Sequence, residues 1–262
     1  MAETTHALEI RTVSELLGEV RKLLGHDPSR NVLFRGQGET KWPLEPTIAR
    51  VSRVGDRTIG FDPSSELTLI RDFRRLAYPQ RQAVMGDWEA LFVGRHHGLP
   101  VRLLDWTTNP LVAAYWACQA PLIAHGAVWV IEVRSIDQSA IDALDPASQS
   151  PFAISGIRVV YPFHATPRIT AQAAVFTIQD DPWTPLEQLA SKADAASSDI
   201  VGVSKWLIPR SAKGPILDDL AMAGLNHMSL FPDLDGVASG LVEAYAQRSG
   251  TPDVSRKHVR TV

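Results

Sequence analysis

The chain has 262 residues, 45% of them hydrophobic and 21% charged, with a formal net charge of −3. That length can bury a substantial core in one large domain, with or without an appendage, and the charge excludes a general electrostatic attraction to nucleic acid, leaving only a local basic patch. Cys118 is the single cysteine, so an internal disulfide is excluded; with a polar N-terminus and no apolar run near the roughly 20 residues of a membrane span, the expectation is a cytoplasmic protein that does not cross a membrane.

Val13 to Leu24 spaces Leu16, Leu17, Val20, Leu23 and Leu24 at helical intervals, with Ser14 available as a cap. Asn31 to Gln37 (N-V-L-F-R-G-Q) reads as a short apolar strand that ends in Arg35-Gly36. Glycine there lets another group approach the backbone closely, so Arg35 is expected beside open space. Trp42 to Arg50, with two prolines, reads as an extended connection lying over the sheet. Ser65 to Tyr78 and Asp87 to Arg95 read as helices, the first with Arg71, Arg74 and Arg75 on its outer side.

The densest stretch is His96 to Cys118 (H-H-G-L-P-V-R-L-L-D-W-T-T-N-P-L-V-A-A-Y-W-A-C). Val101 to Trp106 predicts a buried strand carrying Arg102 and Asp105, each of which needs a partner, since an unpaired buried charge is costly. Asn109 then caps a helix with Pro110 at its first position and apolar residues on every face to Cys118, which predicts a central location. Gly126 to Val133 is the clearest strand, rich in Val, Ile and Trp. Beyond it we expect a short helix near Ser139 to Leu144 and then a loop; a strand from Arg168 to Ile178 with Arg168, Thr170 and Gln172 on one face; a strand at Lys205 to Ile208; and a helix from Ser211 to Ala223 closed by Gly224. S-L-F-P-D-L-D-G (Ser229 to Gly236) precedes a last helix from Val237 to Gln247. The expected organisation is an N-terminal helical segment over residues 1–30, an α+β domain over 31–247 and a flexible tail over 248–262.

Familiar catalytic signatures are absent: the sequence has no P-loop, no G-x-G-x-x-G after a strand, no G-x-S-x-G and no H-E-x-x-H. Cys118 belongs to the apolar helix and reads as packing rather than as a nucleophile. Adjacent His96 and His97 point apart on any regular element, so a two-histidine metal site is not expected. Arg35 reads in two ways, as a planar fork for phosphate or carboxylate or as a buried partner of an acid such as Asp105.

L-F-R-G-Q at Leu33 to Gln37, with H-H-G-L-P-V-R-L-L-D-W-T-T-N-P-L-V-A-A-Y-W-A at His96 to Ala117, resembles the FRG domain family, and R-I-T-A-Q-A-A-V-F-T-I and S-L-F-P-D-L-D-G resemble its C-terminal half, so the resemblance runs from Val32 to Val242. The chain departs from the family pattern at Arg95, where Gln is usual, at Val101 (Thr), Ala174 (Gly) and Gln179 (His). A weaker resemblance is to ADP-ribosyltransferases of the arginine-serine-glutamate type, carried by Phe34-Arg35-Gly36 and by Trp106-Thr107-Thr108-Asn109 running into an apolar helix.

The second resemblance implies a bent or split, mostly antiparallel sheet flanked by helices, and an enzyme that cleaves the nicotinamide–ribose bond of NAD and passes ADP-ribose to a macromolecule or to water, as a toxin or antiviral effector. Arg35, Thr107, Gln172, Asp105 and His97 are then the catalytic candidates, and Arg35, Gly36, Gln37, Arg102, Trp106 and Asn109 contact the nucleotide. Gln172 stands where that class has a glutamate, and an amide cannot supply the negative charge that stabilises an oxocarbenium-like transition state. The alternative from a different class is a non-catalytic module that binds a nucleotide or a protein through the same cleft.

Overall fold

The computed structural model describes residues 8–25, 31–50, 52–54, 57–82, 84–119, 121, 123–134, 141–142, 149–162, 166–193 and 197–248. Helix α1 (Val13–Leu24) is capped by Thr12, not Ser14: the Thr12 hydroxyl accepts from the Glu15 amide at 3.1 Å, satisfying one of the N–H groups that a helix start leaves free. Strand β1 (Asn31–Gln37) follows, then the Pro-rich connection, which holds one 3-10 turn at Thr47–Ala49 and buries Leu44 and Ile48. Strands β2 (Ser52–Val54) and β3 (Arg57–Ile59) pair only with each other. Helix α2 (Pro63–Arg81) starts at Asp62, whose carboxylate accepts from the Ser65 amide at 2.8 Å, and α3 (Asp87–His96) leads to β4 (Leu104–Thr107).

Helix α4 (Pro110–Cys118) begins as its sequence dictates, with Asn109 Oδ1 accepting from the Leu111 amide at 2.9 Å. Strand β5 (Gly126–Val133) is fully formed. The helix expected near Ser139 to Leu144 is not found in the described part of that stretch: Ile141–Asp142 form the short strand β6, and the rest lies outside the described residues. The expected loop before residue 160 gives way to strand β7 (Ile157–Tyr161).

The strand expected from Arg168 to Ile178 is two elements. Thr166 caps the short helix α5 (Pro167–Ala171), the chain turns through Ala173 at φ 45°, and only then does strand β8 (Ala174–Gln179) begin. Thr-Pro at the start of the run is a helix opening, and the apolar–polar alternation of R-I-T-A-Q hides it. Helix α6 (Leu186–Ala190), strand β9 (Ile200–Ile208), helix α7 (Lys213–Met222), the short helix α8 (His227–Leu230) and helix α9 (Leu234–Arg248) complete the described fold. The tail expected over 248–262 lies, beyond Arg248, outside the described residues.

The architecture is α+β. Six strands form a curled antiparallel sheet in the order β7-β8-β4-β1-β5-β9, with β6 added in parallel at the edge. The central ladder is almost broken: β1 pairs with β5 over all seven residues but with β4 at one position, Phe34 opposite Thr107. One face of the sheet carries two helical layers. On the β1–β5–β9 half, α1, α4 and α7 enclose Phe34, Val128, Val130 and Ile208; on the β4–β8–β7 half, α2 and α3 enclose Phe176, Ile178 and Val160. Leu33, Trp106 and Trp129 face the other side, covered by Leu44 and Leu186.

Gly36 explains how α4 reaches the centre. A Cβ there would lie 1.9 Å from the Ala113 carbonyl oxygen, 2.6 Å from the Ala117 amide and 2.7 Å from the Trp116 Cβ. Two of these are backbone atoms, so the helix lies directly on the strand only because residue 36 has no side chain. No helix among the described residues is long and apolar enough to cross a membrane.

Candidate functional site

The seam between the two helical layers, where β1 and β4 part, holds a cleft of about 130 Å³. Strand β1 supplies Phe34, Arg35 and Gly36, the end of α3 supplies Phe92, Arg95 and His96, and β4 supplies Asp105, Trp106 and Thr107. The connection after β1 adds Arg50, helix α4 adds Trp116, and the α5–β8 segment adds Arg168, Gln172 and Phe176.

Asp105 is the hub. Arg95 Nη2 lies 2.7 Å from Asp105 Oδ2 and Arg95 Nε donates to Oδ1 at 3.3 Å, while Arg35 Nη1 donates to the Asp105 carbonyl oxygen at 2.7 Å and lies 3.5 Å from Oδ2. Arg35 thus spans the gap that the missing ladder leaves. Burial alone raises the Asp105 carboxyl; Arg95, with Arg35 and Arg50, more than reverses this and holds it well below the usual carboxylate range. Burial pulls the Arg35 guanidinium down to about 10 despite Asp105, and its Nε is buried without a hydrogen-bond partner.

Around this hub the cleft is strongly cationic: Arg35, Arg50, Arg95 and Arg168 face a single carboxylate among the described lining residues. Burial, then Arg95, lowers Arg50; burial lowers Arg168 as well. His96 is pushed down by burial and by the charges of His97 and Arg168, so it is the neutral base of the cleft at pH 7. S-L-F-P-D-L-D-G supports three of the lining residues: the Arg168 guanidinium carbon lies 4.3 Å over the Phe231 ring, Phe231 meets Trp116 edge-on, and Gln172 Nε2 donates to the Leu230 carbonyl at 3.2 Å.

Of the sequence candidates, Arg35, Gly36, Asp105, Trp106, Thr107 and Gln172 come together here. Four others do not line it. Arg102 points into the α2–α3 layer and pairs with Glu66 at 2.6 Å. Gln37 lies on the opposite face, its Nε2 donating to the Pro43 carbonyl and its Oε1 accepting from Trp129 Nε1 at 2.7 Å. His97 is exposed, and its neighbour His96 takes the cleft position. The Asn109 side chain is used in capping α4.

Three of those present are also engaged in structure. Thr107 donates to the Gln172 carbonyl at 2.7 Å and accepts from the Asn109 amide, the Gln172 amide is tied to Leu230, and the Trp106 indole donates to Thr177 Oγ1 at 3.0 Å with 2% of the residue exposed. The Trp106 ring is therefore unavailable for stacking; half-buried Trp116 is the aromatic surface facing the cleft.

Arg50, Arg95, Arg168 and His96 are lining residues beyond those expected from the sequence. Arg95 adjoins the histidine pair and departs from the family pattern, which was the available signal; Arg50, at the end of a Pro-rich connection, gave none. Residues 30–125 match the family model of the FRG domain, a span that contains L-F-R-G-Q and the whole His96 to Cys118 stretch. No curated protein sequence matches the chain significantly, and neither does any solved structure.

Proposed function

We propose that the cleft built largely by the FRG-type segment binds NAD or a related nucleotide, with phosphate toward the arginines and a heterocycle against Trp116. The observation that carries this reading is the convergence of four arginines on one already neutralised carboxylate, beside an aromatic wall. Guanidinium groups in a half-buried setting form strong, directional hydrogen bonds to phosphate oxygens, and a net excess of them is costly without an anion. Calorimetric titration with NAD and ADP-ribose tests it; binding at sub-millimolar concentration is expected, and no heat with either at millimolar concentration overturns it.

A second reading adds turnover: an ADP-ribosyltransferase-like enzyme that releases nicotinamide and transfers ADP-ribose to a macromolecular acceptor or water, as a toxin or antiviral effector does. It is favoured by the register of Phe34 opposite Thr107, which brings the two motifs of the resemblance side by side. Against it stands the chemistry of the lining. Asp105 is saturated by arginines and Gln172 is an amide, so no free carboxylate among the described lining residues faces a developing oxocarbenium. We therefore place binding first, and release of free nicotinamide on incubation with NAD is the measurement that would promote turnover.

A further inference from the structure

The four arginines of the cleft are not equivalent. Arg95 is committed to both oxygens of Asp105, and Arg35 to its carbonyl and carboxylate. Arg50 gives Nε and Nη2 to the Glu45 carbonyl at 3.2 and 3.0 Å, which fixes its direction without neutralising it, and it makes no ion pair among the described residues. Arg168 has its guanidinium carbon 4.3 Å over the centre of the Phe231 ring and makes no hydrogen bond or ion pair among the described residues. A guanidinium stacked by its face keeps its edge N–H groups for another partner. Both line the cleft, where the one carboxylate among the described lining residues, Asp105, is already held by Arg95 and Arg35.

Size narrows what can fill that space. The cleft, at about 130 Å³, is close to the roughly 150 Å³ engineered cavity that accepts a single benzene ring. One phosphate entering end-on fills such a volume, whereas a pyrophosphate flanked by a ribose on each side would leave most of its length outside it. A phosphate monoester also concentrates nearly two negative charges on one phosphorus at neutral pH, since its second pKa is about 6. A phosphodiester or an internal pyrophosphate group carries one charge per phosphorus.

Resting on the nucleotide reading above, we propose that the cleft recognises a terminal phosphate monoester, held by Arg50 and Arg168, while Arg95, through Asp105, maintains the shape of the pocket. A dianion between these two guanidiniums, neither of which has an ion-pair partner among the described residues, neutralises the excess charge and supplies acceptors for their remaining N–H groups.

Titration calorimetry of the full chain with four probes tests this. NADP and adenosine 5′-monophosphate end in a monoester; NAD and ADP-ribose do not. The expected result is that the first two bind at least about tenfold more tightly than the second two, the scale of one charge-assisted hydrogen bond. Arg50→Gln and Arg168→Gln, checked for folding by thermal melting, should each bring the NADP to NAD ratio toward one. Equal affinities for all four probes overturn the monoester assignment while leaving the nucleotide reading standing. No binding of any probe overturns both. A glutamine variant that folds and keeps the full preference removes that arginine from the assignment; should a variant not fold, the probe series on the unaltered chain still decides.

Discussion

Glu66 Oε2 lies 2.6 Å from Arg102 Nη2, and its other oxygen accepts from the Arg102 backbone amide at 3.0 Å, with the carboxylate side chain fully buried. The pair locks α2 to the segment entering β4, and it removes Arg102 from the chemistry of the cleft. Breaking a buried ion pair leaves one charge without its partner, at a cost of about 3–5 kcal/mol. Glu66→Gln should therefore lower the unfolding free energy by that amount, while protein that remains folded binds nucleotide with unchanged affinity. Urea unfolding read beside calorimetry checks both halves.

Gly36→Ala should be as damaging as a core truncation although it adds one methyl group. The new Cβ collides with the backbone of α4, which cannot turn aside as a side chain does, so the helix must lift from β1. A loss of about 2–3 kcal/mol is expected, and weaker nucleotide binding with it, because Trp116 moves with the helix. A variant with wild-type stability by thermal melting would contradict the close contact.

Replacing Ala114 by Arg places a charge where 1% of the residue is exposed, in the middle of the helix that joins α1 and α7 to the sheet. No partner can reach it without solvent entry. The expected outcome is an insoluble or unfolded chain, read by circular dichroism; a retained melting temperature would refute the central position of α4.

Asp105 carries a pH dependence of definite sign. Its carboxyl titrates below the unfolded value of about 3.9, so between the two the unfolded chain binds a proton that the native chain does not. The stabilisation is complete above that unfolded value and is lost as the pH falls through the folded one. His96 acts in the same direction higher up: its folded pKa lies below the usual 6.5, so protonation favours the unfolded chain as the pH drops under that value. Asp105→Asn should lower the melting temperature at pH 7 and flatten its acid limb, leaving in place the decline that His96 contributes below its unfolded value of about 6.5.

Arg35→Lys should weaken nucleotide binding about tenfold or more by calorimetry, since an ammonium point charge cannot reach the Asp105 carbonyl and its carboxylate at once and so cannot hold the shape of the cleft at the β1–β4 gap. Arg74, on the outer side of α2 with Asp87 at 2.7 Å, is the control: Arg74→Gln should leave binding unchanged.

What could be read before folding was whatever short-range chemistry determines. N-V-L-F-R-G-Q, N-P-L-V-A-A-Y-W-A-C and G-A-V-W-V-I-E-V each carry their own periodicity and cap, and each forms the element expected. Arg168 and Gln172 were expected on a strand and came to the cleft from a helix and a turn, because Thr166-Pro167 outweighed the alternation that followed. Arg95 looked ordinary in the last turn of a helix, where a cation is favourable in any case. Its ten-residue reach to Asp105, like the arrival of Arg50, is set by how α3 and the Pro-rich connection cross the sheet, and no local pattern encodes that.

The lone rung between Phe34 and Thr107 divides the sheet into two leaves sharing a narrow spine; the connection that carries Arg50 leaves one leaf at the end of β1, and Arg168 stands just before β8 of the other. An anion gripped by Arg50 and Arg168 is then a clasp across the two leaves as well as an occupant of the cleft. Its grip is felt wherever the leaves would otherwise slide, so amide exchange in β4 and β8, the strands that line the cleft from one leaf, should slow together when the clasp is shut.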